Sequence, residues 1–111
     1  MMHPYLFEFI ATLIFVYVII ATGNCYAIGA TLALLCIVGA KISGCSVNPA
    51  VTLALLASGK LAANHVLPYI GAEVAGALTA VQLHKVLKTY NKKDLFVTFA
   101  FANILVILHS F

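Results

Sequence analysis

Residues 43–59 read SGCSVNPAVTLALLASG, and they set Asn48 and Pro49 in the middle of a strongly apolar chain. Asn48 is a favourable helix N-cap. Pro49 suits the first helical position, where the N–H it lacks would have no partner, and Gly59 suits a helix stop. Together they predict a helix over 49–58. At 1.5 Å per residue it extends about 15 Å, half of a hydrocarbon core about 30 Å thick. A half-length helix behind the irregular KISGCSV (41–47) reads as a re-entrant segment that stops near the membrane midplane.

The surroundings agree with that setting. Of 111 residues 64% are hydrophobic and 8% charged, against about 25% charged in soluble domains, and the mean hydropathy is +1.11. A water-soluble globule is excluded. At roughly 20 apolar residues per span the length allows about four spans, so 1–111 reads as a single transmembrane domain. The apolar segments are 5–22, closed by the turn signal Gly23-Asn24; 26–40, short for a span; 66–87; and 95–111, behind the solvated KTYNKKD. The N-terminus has no Lys or Arg and holds Glu8 inside its apolar run, so the first segment is expected to be a retained span rather than a secretory signal.

Cys25, Cys36 and Cys45 are odd in number and lie in or beside apolar segments, which gives no disulfide framework. Cys25 and Cys36 read as small buried packing residues. Cys45, three residues before Asn48, reads either that way or as a thiol facing a pathway. His3, His65, His84 and His109 fall near segment ends, where interfacial placement is expected. No nucleophile is paired with a base and no metal spacing occurs, so neither an enzyme nor a cofactor is expected.

Unpaired backbone at mid-membrane is tolerated only where it is buried in protein or lines a wet cavity. The N–H-bearing end of the half-helix is therefore expected to face a pathway, with the Asn48 amide beside it as a further donor. Such an end attracts neutral acceptors and repels cations, hydronium included. These residues alone imply a pore for neutral solutes.

SGCSVNPAVT, the Glu8-x-x-x-Thr12 pair and the run from Tyr69 to Ala77 together resemble the aquaporin (major intrinsic protein) family. The resemblance covers about 4–87 and one of that family's two inverted repeats. It implies an all-α membrane protein: an aquaporin-like half repeat of three transmembrane helices and one re-entrant NPA half-helix, here followed by the short C-terminal apolar helix 95–111. Asn48, Pro49 and Ala50 match the NPA box, with Asn48 donating to single-file water. Glu8 matches the family's buried Glu, which braces the re-entrant loop through its N–H groups; a charge at membrane depth needs such a partner.

Departures from the pattern are also legible. Ser46 stands where the first repeat usually has His, so SGCS looks like the second repeat, while Val51-Thr52 looks like the first. The Arg that follows the second repeat's box is missing, and the chain has no Arg at all. Ile28 takes a place where water-selective members often carry an aromatic. With Cys45 and Val51 it is a candidate for a wider constriction that admits glycerol-sized solutes. Glu73 takes the place of a Gln in the third span, and reads either as a buried neutral acid bonded to a neighbouring helix or as a pore group. Ala72, Gly76 and Ala80, four apart, read as a close helix-packing row.

One half-helix leaves a pathway unfinished. The expectation is a channel subunit for water or small neutral solutes in a multi-pass membrane protein, completed by an antiparallel second copy, a higher oligomer or another half-aquaporin chain. With three spans, Lys41 and Lys60 lie on one side and Lys85, Lys88, Lys92 and Lys93 on the other. That small bias is compatible with dual topology. Two alternatives stand beside it: a non-conducting or regulatory half-aquaporin remnant, and a small multidrug-type proton-coupled transporter using Glu8, which has no use for SGCSVNPAVT.

Overall fold

A computed structural model describes residues 2–89 and the helix Lys92–Ser110, with the side chains at 92–99 outside the description. The order is α1 (Pro4–Thr22), α2 (Cys25–Gly39), α3 (Pro49–Ala57), α4 (Ala63–Thr89) and α5 (Lys92–Ser110), with no strand among the described residues. The all-helical fold expected from the sequence is the fold observed. Of the expected segment 95–111, Phe111 and the side chains at 95–99 lie outside the described residues; the side chains of 100–110 are exposed.

Local chemistry sets the helix ends. The His3 ring accepts a hydrogen bond from the Tyr5 N–H at 3.1 Å, and Pro4 takes the first turn of α1. Gly23 closes that helix at φ 56°, a left-handed turn that costs glycine nothing because it has no Cβ. Asn24 Oδ1 then accepts from the N–H groups of Tyr26 and Ala27 at 2.9 and 3.0 Å and opens α2. The Gly23-Asn24 pair thus stops one helix and starts the next. α4 begins at Ala63 rather than at 66 and carries Pro68 within its length, as membrane helices tolerate.

Among the described residues two helices, α1 with 19 residues and α4 with 27, are long and apolar enough to cross a bilayer. α2, with 15 residues, reaches about 22 Å and α3, with 9, about 14 Å, so α3 covers half of a hydrocarbon core.

α1 packs along α4, α2 against α1, and α3 against α4. A β-carbon at Gly76 would collide with the Phe9 carbonyl oxygen, so α1 and α4 touch backbone to backbone there. Ala80 is fully buried and Ala72 half-buried on the same row. In lipid, where burying apolar surface between helices yields little, such close approach supplies the contact energy.

The interior inverts that of a soluble domain. Phe7, Ala11 and Val47 form a small apolar cluster, yet the largest fully buried side chains are Glu8, Glu73 and Thr52. Leu34, Ile37, Val38 and Leu67 are exposed, as suits a lipid-facing surface.

The cysteines correct the reading from sequence. Cys36 and Cys45 form a disulfide, with their Cα atoms 5.1 Å apart, so neither is a free thiol and Cys36 is not merely a packing residue. Cys25 is exposed rather than buried. Parity leaves one cysteine over but does not forbid a pair among three. Here a tight turn does the pairing: the N–H groups of Ile42, Ser43 and Gly44 all bond back to the Gly39 carbonyl, folding the chain so that Cys45 returns to the last turn of α2.

Candidate functional site

The site is built around the re-entrant loop and the first turn of α3. Residues 44–47 run without regular structure, and three successive positive-φ or constrained positions bend them: Gly44 at 86°, Cys45 at 56° and, past Ser46, Val47 at 48°. A left-handed backbone at a β-branched residue costs about 1–3 kcal/mol and persists only where its surroundings hold it. Glu8 does the holding. Its Oε1 accepts from the Val47 N–H at 2.7 Å, and its Oε2 accepts from the Ser46 N–H at 3.2 Å and from the Ser43 hydroxyl. Glu8 is wholly buried, so these bonds form away from solvent, where they are strongest. From α4, the Tyr69 hydroxyl donates to the Ser43 carbonyl at 2.8 Å, and the Cys36–Cys45 bond ties the loop to α2.

Beyond the loop, Asn48 caps α3. Its Oδ1 accepts from the Ala50 N–H at 2.8 Å, and its side chain is exposed, which leaves the Nδ2 donors available. The Thr52 hydroxyl lies 3.1 Å from the Asn48 carbonyl, 2.6 Å from Ser46 Oγ, and 3.0 and 2.9 Å from the two carboxyl oxygens of Glu73. Thr52 and Glu73 are 0% and 1% exposed.

A cavity of about 290 Å³ opens at the start of α3. α1 contributes Thr12, Phe15 and Val16; the loop and α3 contribute Val47, Asn48 and Pro49; α4 contributes Glu73, Val74, Ala77 and Leu78. With liquid water taking about 30 Å³ per molecule, it has room for several waters or a three-carbon polyol. Its wall is apolar apart from Thr12, Asn48 and Glu73, and the Thr12 hydroxyl makes no hydrogen bond among the described residues. The positive end of a helix macrodipole, equivalent to about half a charge, points into this space.

Glu8, Ser46, Asn48, Pro49, Thr52 and Glu73 are thus gathered in one place. Ala50 lies in the first turn of α3, exposed. The constriction candidates lie elsewhere: Ile28 is half-buried in α2, Val51 is 41% exposed, Cys45 is in the disulfide, and none of the three lines the cavity. Ser43, Thr52 and Tyr69 were assigned no role from sequence. What marked them was a hydroxyl inside an apolar segment. Of the histidines, His3 caps α1, His65 hydrogen-bonds the Tyr5 hydroxyl at 2.8 Å, and His84 rests edge-on against the Tyr17 ring at 5.9 Å.

The sequence pattern of the family described as Major intrinsic protein matches residues 22–108. The chain belongs to the major intrinsic protein family. That match continues through most of α5, past the 4–87 stretch that carries the motifs. Among curated proteins, Aquaporin Z of Bradyrhizobium diazoefficiens is 52% identical over 42 residues, which cover 38% of this chain and 18% of that protein. Glycerol uptake facilitator protein-like 6 of Lactiplantibacillus plantarum is 39% identical over 88 residues, covering 71% of this chain and 41% of that one. Aquaporin PIP-type of Atriplex canescens is 35% identical over 95 residues, covering 70% and 34%. The chain therefore spans well under half the length of these relatives. No solved structure matches it significantly. As a major intrinsic protein, it is an integral membrane protein.

Proposed function

We propose that this chain is a channel subunit for passive passage of water or small neutral solutes, with Asn48 as the donor at mid-membrane and Glu8 as the brace of the loop that carries it. The observation behind this reading is the exposed, capped N-terminus of a half-length helix facing a 290 Å³ cavity with a mostly apolar wall. An apolar wall with a few fixed donors passes neutral hydrogen-bonding molecules, and a positive helix end opposes cations. The names of the relatives, aquaporins and a glycerol uptake facilitator, support the same class of solute.

One half-helix of about 14 Å reaches half-way across a hydrocarbon core, so a second, inverted half is needed. We assign it to an antiparallel second copy of this chain; a partner chain that supplies the second half is the competing outcome.

Purified chain in lipid vesicles, followed by stopped-flow osmotic shrinkage with water and with glycerol gradients, tests the channel. Flux above that of empty vesicles is expected. Asn48→Ala should lower it, since the substitution removes the pathway donor and a helix cap worth about 1 kcal/mol. Vesicles that hold inserted protein and shrink no faster than empty ones would leave a non-conducting half-subunit. Terminal tags reporting both sides of the membrane, with a two-chain particle, are expected for the antiparallel copy; tags on one side only would overturn it.

A further inference from the structure

Glu8 and Glu73 are both removed from solvent, at 0% and 1% exposure, but their oxygens meet different company. Glu8 has three donors, the Ser43 hydroxyl and the N–H groups of Ser46 and Val47, and lies beside the Glu73 carboxyl. That pattern of three donors is what an ionised carboxylate takes. Glu73 meets the Thr52 hydroxyl, which lies about equally far from both its oxygens, with the Ser46 hydroxyl and the Glu8 carboxyl beside it.

Thr52 has one proton and four oxygen neighbours within hydrogen-bond range: Ser46 Oγ, the Asn48 carbonyl and the two oxygens of Glu73. The Asn48 carbonyl already accepts the Thr52 N–H at 2.9 Å, so the hydroxyl is free to donate to Glu73, but its single proton serves one carboxyl oxygen at a time. Glu73 therefore draws on hydroxyls that also serve other oxygens, whereas Glu8 holds two backbone N–H groups and the Ser43 hydroxyl, so Glu8 is the better-stabilised anion of the two.

Charge counting leads to the same state. The titratable group that faces Glu73 across from α1 is Glu8, and the one on its own helix is Tyr69, itself bonded to the Ser43 carbonyl. From the loop and α3 come the hydroxyls of Ser46 and Thr52, with no lysine or histidine among the groups that face it. Two carboxylates buried together without a cation are far costlier than one carboxylate and one acid.

We propose that Glu73 is a positioning residue held as a neutral carboxylic acid, which grips the first turn of the half-helix through Thr52 from the α4 side, while Glu8 is the carboxylate of the pair and grips the loop from the α1 side. Asn48 is then clamped from both faces: its carbonyl by Thr52, and the residues before it by Glu8. The inference rests on the channel reading for its flux measurement only.

The test is infrared absorption of the full chain in lipid vesicles at neutral pH, beside vesicle flux. The chain has three acidic side chains, Glu8, Glu73 and Asp94, so loss of a protonated-carboxyl carbonyl band on replacing Glu73 assigns that band among them. The wild type should show that band. Glu73→Gln, an amide that keeps one donor and one acceptor, should lose the band and still fold and insert. Thr52→Val should keep the band, shift it to the position of a freer carbonyl, and lower flux roughly tenfold, the effect of one buried hydrogen bond near 1.4 kcal/mol. Absence of the band from the wild type, its survival in Glu73→Gln, or failure of Glu73→Gln to insert would each overturn the proposal. A wild type that shows the band and has no flux would sink the channel reading and leave the protonation assignment standing.

Discussion

Replacing Glu8 by Gln alters one atom and should disable the loop. The amide has nearly the shape of the carboxylate, but one of its two ends becomes a donor, and both carboxylate oxygens of Glu8 now face donors. If the NH₂ is turned toward Val47, it meets the Val47 N–H; turned the other way, it meets the Ser46 N–H and the Ser43 hydroxyl, of which only the hydroxyl can reverse. Either way one backbone N–H is left unsatisfied in a fully buried place. The loss is a charge-assisted bond worth about 1.5–3 kcal/mol together with a stranded donor costing about 1–3 kcal/mol. A change of about 2.5–6 kcal/mol moves the occupancy of the bound loop by roughly two to four powers of ten. The left-handed backbone at Val47, at φ 48°, then has less to hold it and relaxes. Flux in vesicles should fall toward that of empty ones, and thermal unfolding in detergent, followed by circular dichroism, should occur at lower temperature. Unchanged flux and unchanged unfolding in Glu8→Gln would refute the claim that the carboxylate places the loop.

Two other perturbations probe the frame around it. Cys36→Ser, Cys45→Ser or treatment with a reducing dithiol opens a cross-link that spans nine positions of sequence; the chain-entropy relation puts its contribution at about 2–3 kcal/mol, so the unfolding temperature should fall in all three cases and the reductant should do nothing further to either variant. Gly76→Ala places a methyl against the Phe9 carbonyl and should force α1 and α4 apart at a cost of about 1–3 kcal/mol, read as a lower unfolding temperature, whereas Gly71→Ala, with open space at the same atom, should be neutral apart from helix propensity.

Much of the fold was legible because helix punctuation is local. Gly23-Asn24, Asn48-Pro49 and Gly59 each act through their own backbone and one or two neighbours, and the helices end where these residues stand. Glu8 was legible for another reason: a lone carboxylate inside an apolar run must find donors, and the loop is the nearest supply. The disulfide was not legible, since it depends on a turn that returns Cys45 to Cys36, and such a return is set by three N–H groups converging on the Gly39 carbonyl rather than by cysteine spacing. The constriction candidates Ile28 and Val51 were chosen by position relative to the box, whereas the residues that line the cavity, Phe15, Val16, Val74 and Ala77 among them, come from helix faces that only assembly reveals.

The polar interior carries a physical consequence for how this half-fold is specified. In a bilayer, apolar packing between helices barely distinguishes one arrangement from another, because lipid offers the same contacts. Hydrogen bonds do distinguish them: a loop shifted by one residue would bring wrong backbone groups to Glu8 and would break the Thr52–Glu73 contact. A helix of nine residues has too little surface to be fixed by packing, and on the proposed channel reading its first turn must be held in place for Asn48 to serve as a donor. Two buried carboxyl groups, on α1 and α4, supply that placement by gripping opposite sides of one short segment. The same logic explains why polar atoms cluster in the first half of α3 and before it, while its second half, with Leu53, Leu55 and Leu56, carries none: position is needed at the end that faces the cavity, and the remainder of the helix has only to reach the membrane surface.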